Sequence, residues 1–323
     1  MKKTLRTSSL TLLGLSISLF TGLANAAIPS ELKLDYVYYA PTSLVVKEQK
    51  LLEKALPKTK IKWVFSQGSN RSLEYLNSGS TDFASTAGLA AVLSRANGSP
   101  IKTVYIQSQP EWTALVVNKD SNIKSLKDLK GKKIAATKGT DPFLFTLQAL
   151  DTIGLGKRDV ELVHLQHPDG KTALERKQVD AWAGLDPLMA SAQAQSGAKL
   201  LYRNVSFNSY SVLSVKDQFA KSSPEAIEAV IKAYEQARQW AKANPDKLAE
   251  LLAREAKLPI EVAKLQLSRT NLDQNIPTTK HTGALQKAGR ILTEKELVRK
   301  GTNVNQVVTQ LFDARYAKKV VTK

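Results

Sequence analysis

A chain of 323 residues, 42% hydrophobic and 24% charged, has ordinary globular composition, and its size suits two units of about 100–200 residues each. It contains no cysteine, which excludes disulfides, thiolate nucleophiles, cysteine-held metals and a lipid-attachment cysteine. The formal charge of +18 invites a phosphate-binding reading, but the lysines are scattered and no aromatic platform interleaves with them, so a solvated basic surface that steers anions is expected, and nucleic acid is not.

At the N-terminus Lys2, Lys3 and Arg6 precede an apolar run from Leu10 to Leu23 and the small residues Ala24-Asn25-Ala26. This pattern predicts a secretory signal peptide cut after Ala26. A retained membrane span would need roughly 18 uninterrupted apolar residues, and Thr11, Ser16, Ser18 and Thr21 interrupt the run. With no lipid anchor, the periplasm of a double-membraned bacterium is the expected destination.

The mature chain begins with a predicted strand, Leu32 to Tyr39, and a helix from Leu44 to Leu56 that ends at Pro57. A strand at 61–65, a helix at 72–76, a strand at 82–86, a small-residue helix at 87–96 and a strand at 103–107 follow. This βαβαβ order predicts a mainly parallel sheet. A second unit repeats the rhythm, with strands at 132–137, 160–165, 180–183 and 199–202 and helices at 142–153, 171–177 and 187–195. From Pro224 the pattern turns helical, with segments at 225–243, 246–257, 260–268 and 282–290 broken at Asn244-Pro245 and Leu258-Pro259. The tail from Ala317 reads as frayed.

The segment 124–142 combines a basic turn, a short strand and a glycine corner that opens a helix at Asp141-Pro142. A helix opening presents free backbone N–H groups and so holds an anion without chemistry. Catalytic signatures are missing: the histidines His164, His167 and His281 lack metal-ligand spacing and read as surface or loop residues, and neither a nucleophile elbow nor a phosphate loop occurs. No enzyme activity and no cofactor are expected.

Four ordered motifs then carry a resemblance: 76–88 (LNSGSTDFASTAG), 128–135 (DLKGKKIA) with Lys138-Gly139-Thr140, 179–187 (VDAWAGLDP) and 240–245 (WAKANP). Together, behind a signal peptide, they resemble the periplasmic substrate-binding proteins of ABC importers, in the branch for taurine, nitrate, aliphatic sulfonates and sulfate esters. The resemblance implies an α/β type II binding-protein fold with two lobes, 27–112 plus 211–323 and 113–210, joined by crossings near Gln109–Thr113 and Phe207–Ser211. It implies capture of a small organosulfur anion, an aliphatic sulfonate or sulfate ester, by a monomer that serves an inner-membrane permease and its ATPase. Nitrate or taurine is the alternative ligand, and a thiamine-pyrimidine-synthesis-like enzyme on the same fold is the alternative class.

On that model three helix openings hold the anion: Gln67, Gly68, Ser69 and Asn70; Ser85, Thr86, Ala87 and Gly88; and Gly139, Thr140 and Asp141. Ser69, Asn70 and Asp141 also read as plain helix caps, and Arg71 reads equally as surface. The resemblance places Tyr38, Tyr39, Trp112, Trp182 and Asp186 on the cleft walls. At most one of Tyr38 and Tyr39 is expected to face inward, because strand neighbours point to opposite sides. Asp186 reads also as a cap for the helix at Pro187, and the Asp141 carboxylate is expected to point away from an anion. Leu185, where related binders often carry an aromatic, implies a wider or differently polar pocket.

Overall fold

The structure is a computed structural model that describes residues 28–322; the expected signal peptide and its cleavage site lie outside the described residues. The first unit runs β1 (Glu31–Tyr36), α1 (Thr42–Glu48), α2 (Leu51–Ala55), β2 (Lys60–Phe65), α3 (Ser69–Ser78), β3 (Phe83–Ala87), α4 (Gly88–Ala96) and β4 (Ile101–Pro110). The second runs β5 (Leu115–Val117), β6 (Lys133–Ala135), α5 (Asp141–Asp151), β7 (Glu161–Val163), α6 (His167–Glu175), β8 (Ala181–Ala183), α7 (Leu188–Ser196) and β9 (Lys199–Tyr202). The chain continues through β10 (Ser211–Lys216), α8 (Asp217–Ser222), α9 (Pro224–Ala243), α10 (Pro245–Ala256), α11 (Ile260–Leu267), β11 (Thr270–Asn271), α12 (Thr279–Glu294), α13 (Val304–Leu311) and α14 (Arg315–Val321).

Two sheets result, in the orders β11-β4-β10-β3-β1-β2 and β7-β6-β8-β5-β9. Both are mixed rather than mainly parallel. β1 pairs in parallel with β2 and β3, but β10 returns from the second unit to lie between β3 and β4, antiparallel to both. The βαβαβ rhythm gave no sign of this insertion, which brings residues more than a hundred positions apart into register. In the second sheet β6 is parallel to β7 and β8, whereas β5 is antiparallel to β8 and β9.

Each sheet is covered because its strands alternate apolar side chains between two faces. In the first lobe Leu32, Leu34, Phe83, Leu213 and Val215 pack under Ile227, Val230, Ile231 and Tyr234. Those four recur at helical spacing on α9, so the helix offers one continuous apolar stripe. In the second lobe Leu115, Val117, Ala181 and Ala183 face Leu144 and Leu147 of α5, while Val116 and Trp182 face Leu174 of α6 and Met189 and Ala192 of α7. Side-chain alternation along three-residue strands thus decides which neighbour goes to which helix layer.

Three local expectations differ. The first strand ends at Tyr36, so Val37 to Ala40 form an irregular bend. The helix expected over 44–56 is broken at Lys50, which takes a left-handed φ of 52°. The tail is a helix, α14, with Tyr316 and Ala317 buried against the first-lobe core.

The chain passes between the sheets after Pro110 and again between Tyr202 and Ser211. Asn208 ties the two passages together: its Oδ1 accepts from the Thr113 N–H at 2.8 Å, and its Nδ2 donates to the Thr113 carbonyl at 3.3 Å.

Candidate functional site

Gly68 precedes α3, and the first N–H groups of that helix have no intrahelical acceptor. Directly opposite, α6 of the other lobe begins at His167. The two helix starts touch: a Cβ added to Gly68 would lie 2.8 Å from His167 Nε2, so only glycine allows this approach. Asn70 Nδ2 donates to Gln166 Oε1 at 3.3 Å across the same gap. The α5 corner closes in as well, with Gly139 at a φ of +80° and its Cα side turned to the Asn70 side chain.

Beside this junction lies a cavity of about 190 Å³ walled by both lobes. The first lobe contributes Tyr38, Tyr39, Phe65, Ser66, Gln67, Ala256 and Leu258; the second contributes His167, Pro168, Leu185, Asp186, Pro187 and Leu188. Aromatic and aliphatic walls with a few convergent polar groups are the usual make-up of a small-molecule site. A larger groove of about 670 Å³ runs beside β11, but its charged groups are already engaged: Glu111 with Arg203, Lys242 with Asp273, and Arg269 with Asp186. The interlobe cavity is therefore the better candidate.

Polar atoms at the cavity are unusually under-used. His167 is fully buried, its Nε2 has no partner within the chain, and burial drives its pKa down to about 3, leaving a neutral ring. Its Nδ1 lies 3.1 Å from Thr137 Oγ1, whose own proton goes to the Leu165 carbonyl at 2.7 Å. Ser66 Oγ and Asn70 Oδ1 are also buried without a partner. Beneath the cavity wall, Tyr39 donates to the Ser85 carbonyl at 2.7 Å, and the buried Asp35 accepts from the Ser85 N–H at 2.7 Å. Burial raises Asp35 to about 6.

Asp186 caps α7 by accepting from the Ala190 N–H at 2.9 Å and faces Arg269 of the first lobe at 3.4 Å. Arg269 also donates to Gln193 of α7. Burial outweighs the guanidinium and raises Asp186 to about 7. Both of the sequence-based readings of Asp186, cavity wall and helix cap, describe its position.

Asp141 is engaged within the chain through one carboxylate oxygen, while its Oδ1 is buried without a partner. Its Oδ2 accepts from the Ser209 N–H at 2.9 Å, from Ser209 Oγ at 2.7 Å and from Trp112 Nε1 at 3.3 Å, so it braces both passages between the lobes. Burial raises it to about 6. Thr140 is spent locally, its hydroxyl donating to the Thr137 carbonyl at 2.6 Å.

The start of α4 is likewise filled from within. The Gly88 N–H donates to the Tyr210 carbonyl at 2.8 Å, the Leu89 N–H to Ser209 Oγ at 3.1 Å, and the Ala87 N–H to Ser69 Oγ at 2.9 Å. Only the hydroxyls of Ser85 and Thr86 stay unpartnered there.

Of the expected site residues, the fold brings Tyr39, Gln67 and Asp186 onto the cavity wall, with Gly68 and Asn70 at its edge. Tyr38 and Tyr39 both line it, contrary to the strand-alternation argument, because the strand has ended before them. Trp112 stands one ring behind, edge-on to Tyr39 at 5.4 Å. Trp182 lies in the second-lobe core against Gly170 of α6, away from the cavity. Arg71 pairs with Glu74 on the surface.

Sequence reasoning missed His167 and Arg269. His167 was read as a surface or loop residue and is instead buried at a helix start. A signal was present, since His167-Pro168 opens its helix after a strand just as Asp141-Pro142 does. Arg269 carried no local signal, because its partner is 83 positions away.

Residues 60–248 match the family model described as NMT1/THI5 like. The chain is 29% identical over 299 residues, 92% of its length and 93% of the relative's, to an Escherichia coli K12 protein named as an aliphatic sulfonates-binding protein. Among solved structures, it is similar to the alkanesulfonate-binding protein from Xanthomonas axonopodis pv. citri bound to MOPS, at 25% identity and a TM-score of 0.81, covering 87% of this chain and 98% of that one. The periplasmic aliphatic sulphonate binding protein from Escherichia coli superposes with a TM-score of 0.75 at 27% identity, covering 86% and 92%. With the family-model match spanning more than half of its length, this chain belongs to the NMT1/THI5-like family.

Proposed function

We propose that this protein is the periplasmic solute-binding component of an ABC importer, which captures a small organosulfur anion, an aliphatic sulfonate or a sulfate ester, and delivers it to an inner-membrane permease. The observation that carries the reading is the cavity beside the point where the α3 and α6 starts of opposite lobes meet. Two helix N-termini supply partial positive charge and N–H donors to an oxyanion that stays ionised at every working pH. Apolar walls at Tyr38, Phe65, Leu185 and Leu188 receive the organic part. Likeness to the sulfonate-binding relatives supports the same ligand class.

In this reading the lobes are 27–112 with 211–323, and 113–210, and Gln109–Thr113 with Phe207–Ser211 are the hinges. Ligand contacts from both lobes favour the closed form, which the permease recognises. The protein works as an exported monomer, processed after Ala26, and capture is its whole activity. A thermal-shift panel of alkanesulfonates, aryl sulfonates, alkyl sulfates, taurine, nitrate and sulfate tests the assignment, because a ligand that binds only the folded state raises its melting temperature. A shift with organosulfur anions and none with nitrate or sulfate is expected. Stabilisation by nitrate alone would overturn it.

A further inference from the structure

We infer that His167 selects the ligand through its unprotonated Nε2, so that the bound molecule carries, besides its anionic head, a hydrogen-bond donor such as an amine or hydroxyl directed at that nitrogen. The inference rests on the anion-binding reading above and adds to it the chemistry of the ligand's other end.

The tautomer follows from the hydrogen bonds. Thr137 Oγ1 donates its one proton to the Leu165 carbonyl, so it can only accept from the ring, and His167 Nδ1 must carry the N–H. A neutral imidazole with a proton on Nδ1 offers a lone pair at Nε2. That atom is buried at the junction, packed against Gly68 and unpartnered within the chain, and its ring belongs to the residues bordering the interlobe cavity, so a ligand reaches it when the two helix starts part. Burial holds the ring neutral, and no charged group opposes it. A bare sulfonate oxygen against this nitrogen would set two acceptors face to face.

The cavity's side chains therefore differ in polarity from its helix openings. His167 Nε2 and the Asp186 carboxylate, the latter held by Arg269, both accept. The backbone N–H groups at the openings of α3 and α6 donate. A molecule with an acid at one end and a donor a few bonds away satisfies both. A plain alkanesulfonate leaves Nε2 empty, and an unmade hydrogen bond to a buried acceptor is costly.

The test titrates the full mature protein with propanesulfonate, aminopropanesulfonate and hydroxypropanesulfonate by calorimetry, in wild type, His167→Leu and Thr137→Val. Wild type is expected to bind the amino or hydroxy probe about tenfold more tightly than propanesulfonate. His167→Leu should erase that preference, so that the three probes bind with equal affinity whatever their absolute affinity. Thr137→Val removes the acceptor for Nδ1–H, lets the ring present N–H at Nε2, and should also narrow the preference. Nitrogen-15 histidine spectra of wild type, independent of either variant's folding, should show an unprotonated Nε2 that moves on adding the amino probe. Equal binding of all three probes by wild type, a preference that survives in His167→Leu, or an imidazolium signal in the complex would each overturn the inference. Binding of no sulfonate at all would instead remove the ligand assignment on which it rests.

Discussion

Gly68 and His167 set the contact between the lobes. Any side chain at position 68 meets the imidazole at 2.8–2.9 Å, and the ring cannot retreat without losing its bond to Thr137. Gly68→Val should therefore hold the lobes apart and weaken ligand affinity by at least about tenfold, read by calorimetry, with the melting temperature of the ligand-free protein little changed. Asp186 makes a pH prediction. Its carboxyl titrates near 7 in the folded chain but in the ordinary range when unfolded, so between those values the folded state holds the extra proton. Stability from this group is then present at low pH and is lost as pH rises through about 7. Asp186→Asn should flatten the fall in melting temperature between pH 5 and 8, and an unchanged slope would assign the pH response to Asp35 or Asp141.

Helix starts share the same local sequence logic yet are used in three ways. The α3 and α6 starts meet at the cavity, the α4 start is satisfied by Ser209, Tyr210 and Ser69, and the α5 start uses Asp141 as a brace for Ser209 and Trp112. Removing the brace leaves three buried donors without an acceptor. Asp141→Ala should cost roughly 2–4 kcal/mol in urea denaturation, far more than an ordinary helix-cap loss of about 1 kcal/mol. Conversely, the Thr86 hydroxyl is buried and unpartnered, so Thr86→Val, similar in shape, should leave stability unchanged or slightly raised. A large loss of sulfonate affinity in that variant would return the α4 start to the binding site.

Across the whole molecule, polar links between the lobes include Arg269 with Asp186 and Gln193, Asn70 with Gln166, Lys295 with Asp151, Lys157 with Glu296, and Arg203 with Glu111, of which the Arg269–Asp186 pair is the most buried. Arg269 is nearly buried, so its loss leaves the Asp186 carboxylate without a counter-charge inside the protein. Arg269→Met should shift the ligand-free population toward open forms, seen as a larger radius of gyration in small-angle scattering, and saturating ligand should restore the smaller value. No change in radius with or without ligand would argue against closure as the working motion. The net positive charge adds long-range attraction for anions, so association should slow as salt rises.

Local chemistry was legible in the residues. Alternation and helical spacing marked most strands and helices to within a few positions, and the Gly-Thr-Asp-Pro and Gln-Gly-Ser-Asn corners announced helix starts suited to anions. What spacing cannot carry is which distant pieces meet. The insertion of β10 between β3 and β4, the seat of Trp182 in a core layer and the pairing of Arg269 with Asp186 depend on contacts between residues far apart in the chain. The same limit applies to Asp141 and the α4 start: a free N–H or a carboxylate is visible in a motif, but which groups of the chain reach it is decided by what tertiary packing brings within hydrogen-bonding distance. The amino-acid order alone established an exported-type leader pattern, two α/β units and anion-suited helix openings. Folding then set one of those openings, that of α3, against the start of α6, which was not among them, and so placed a buried histidine at the junction.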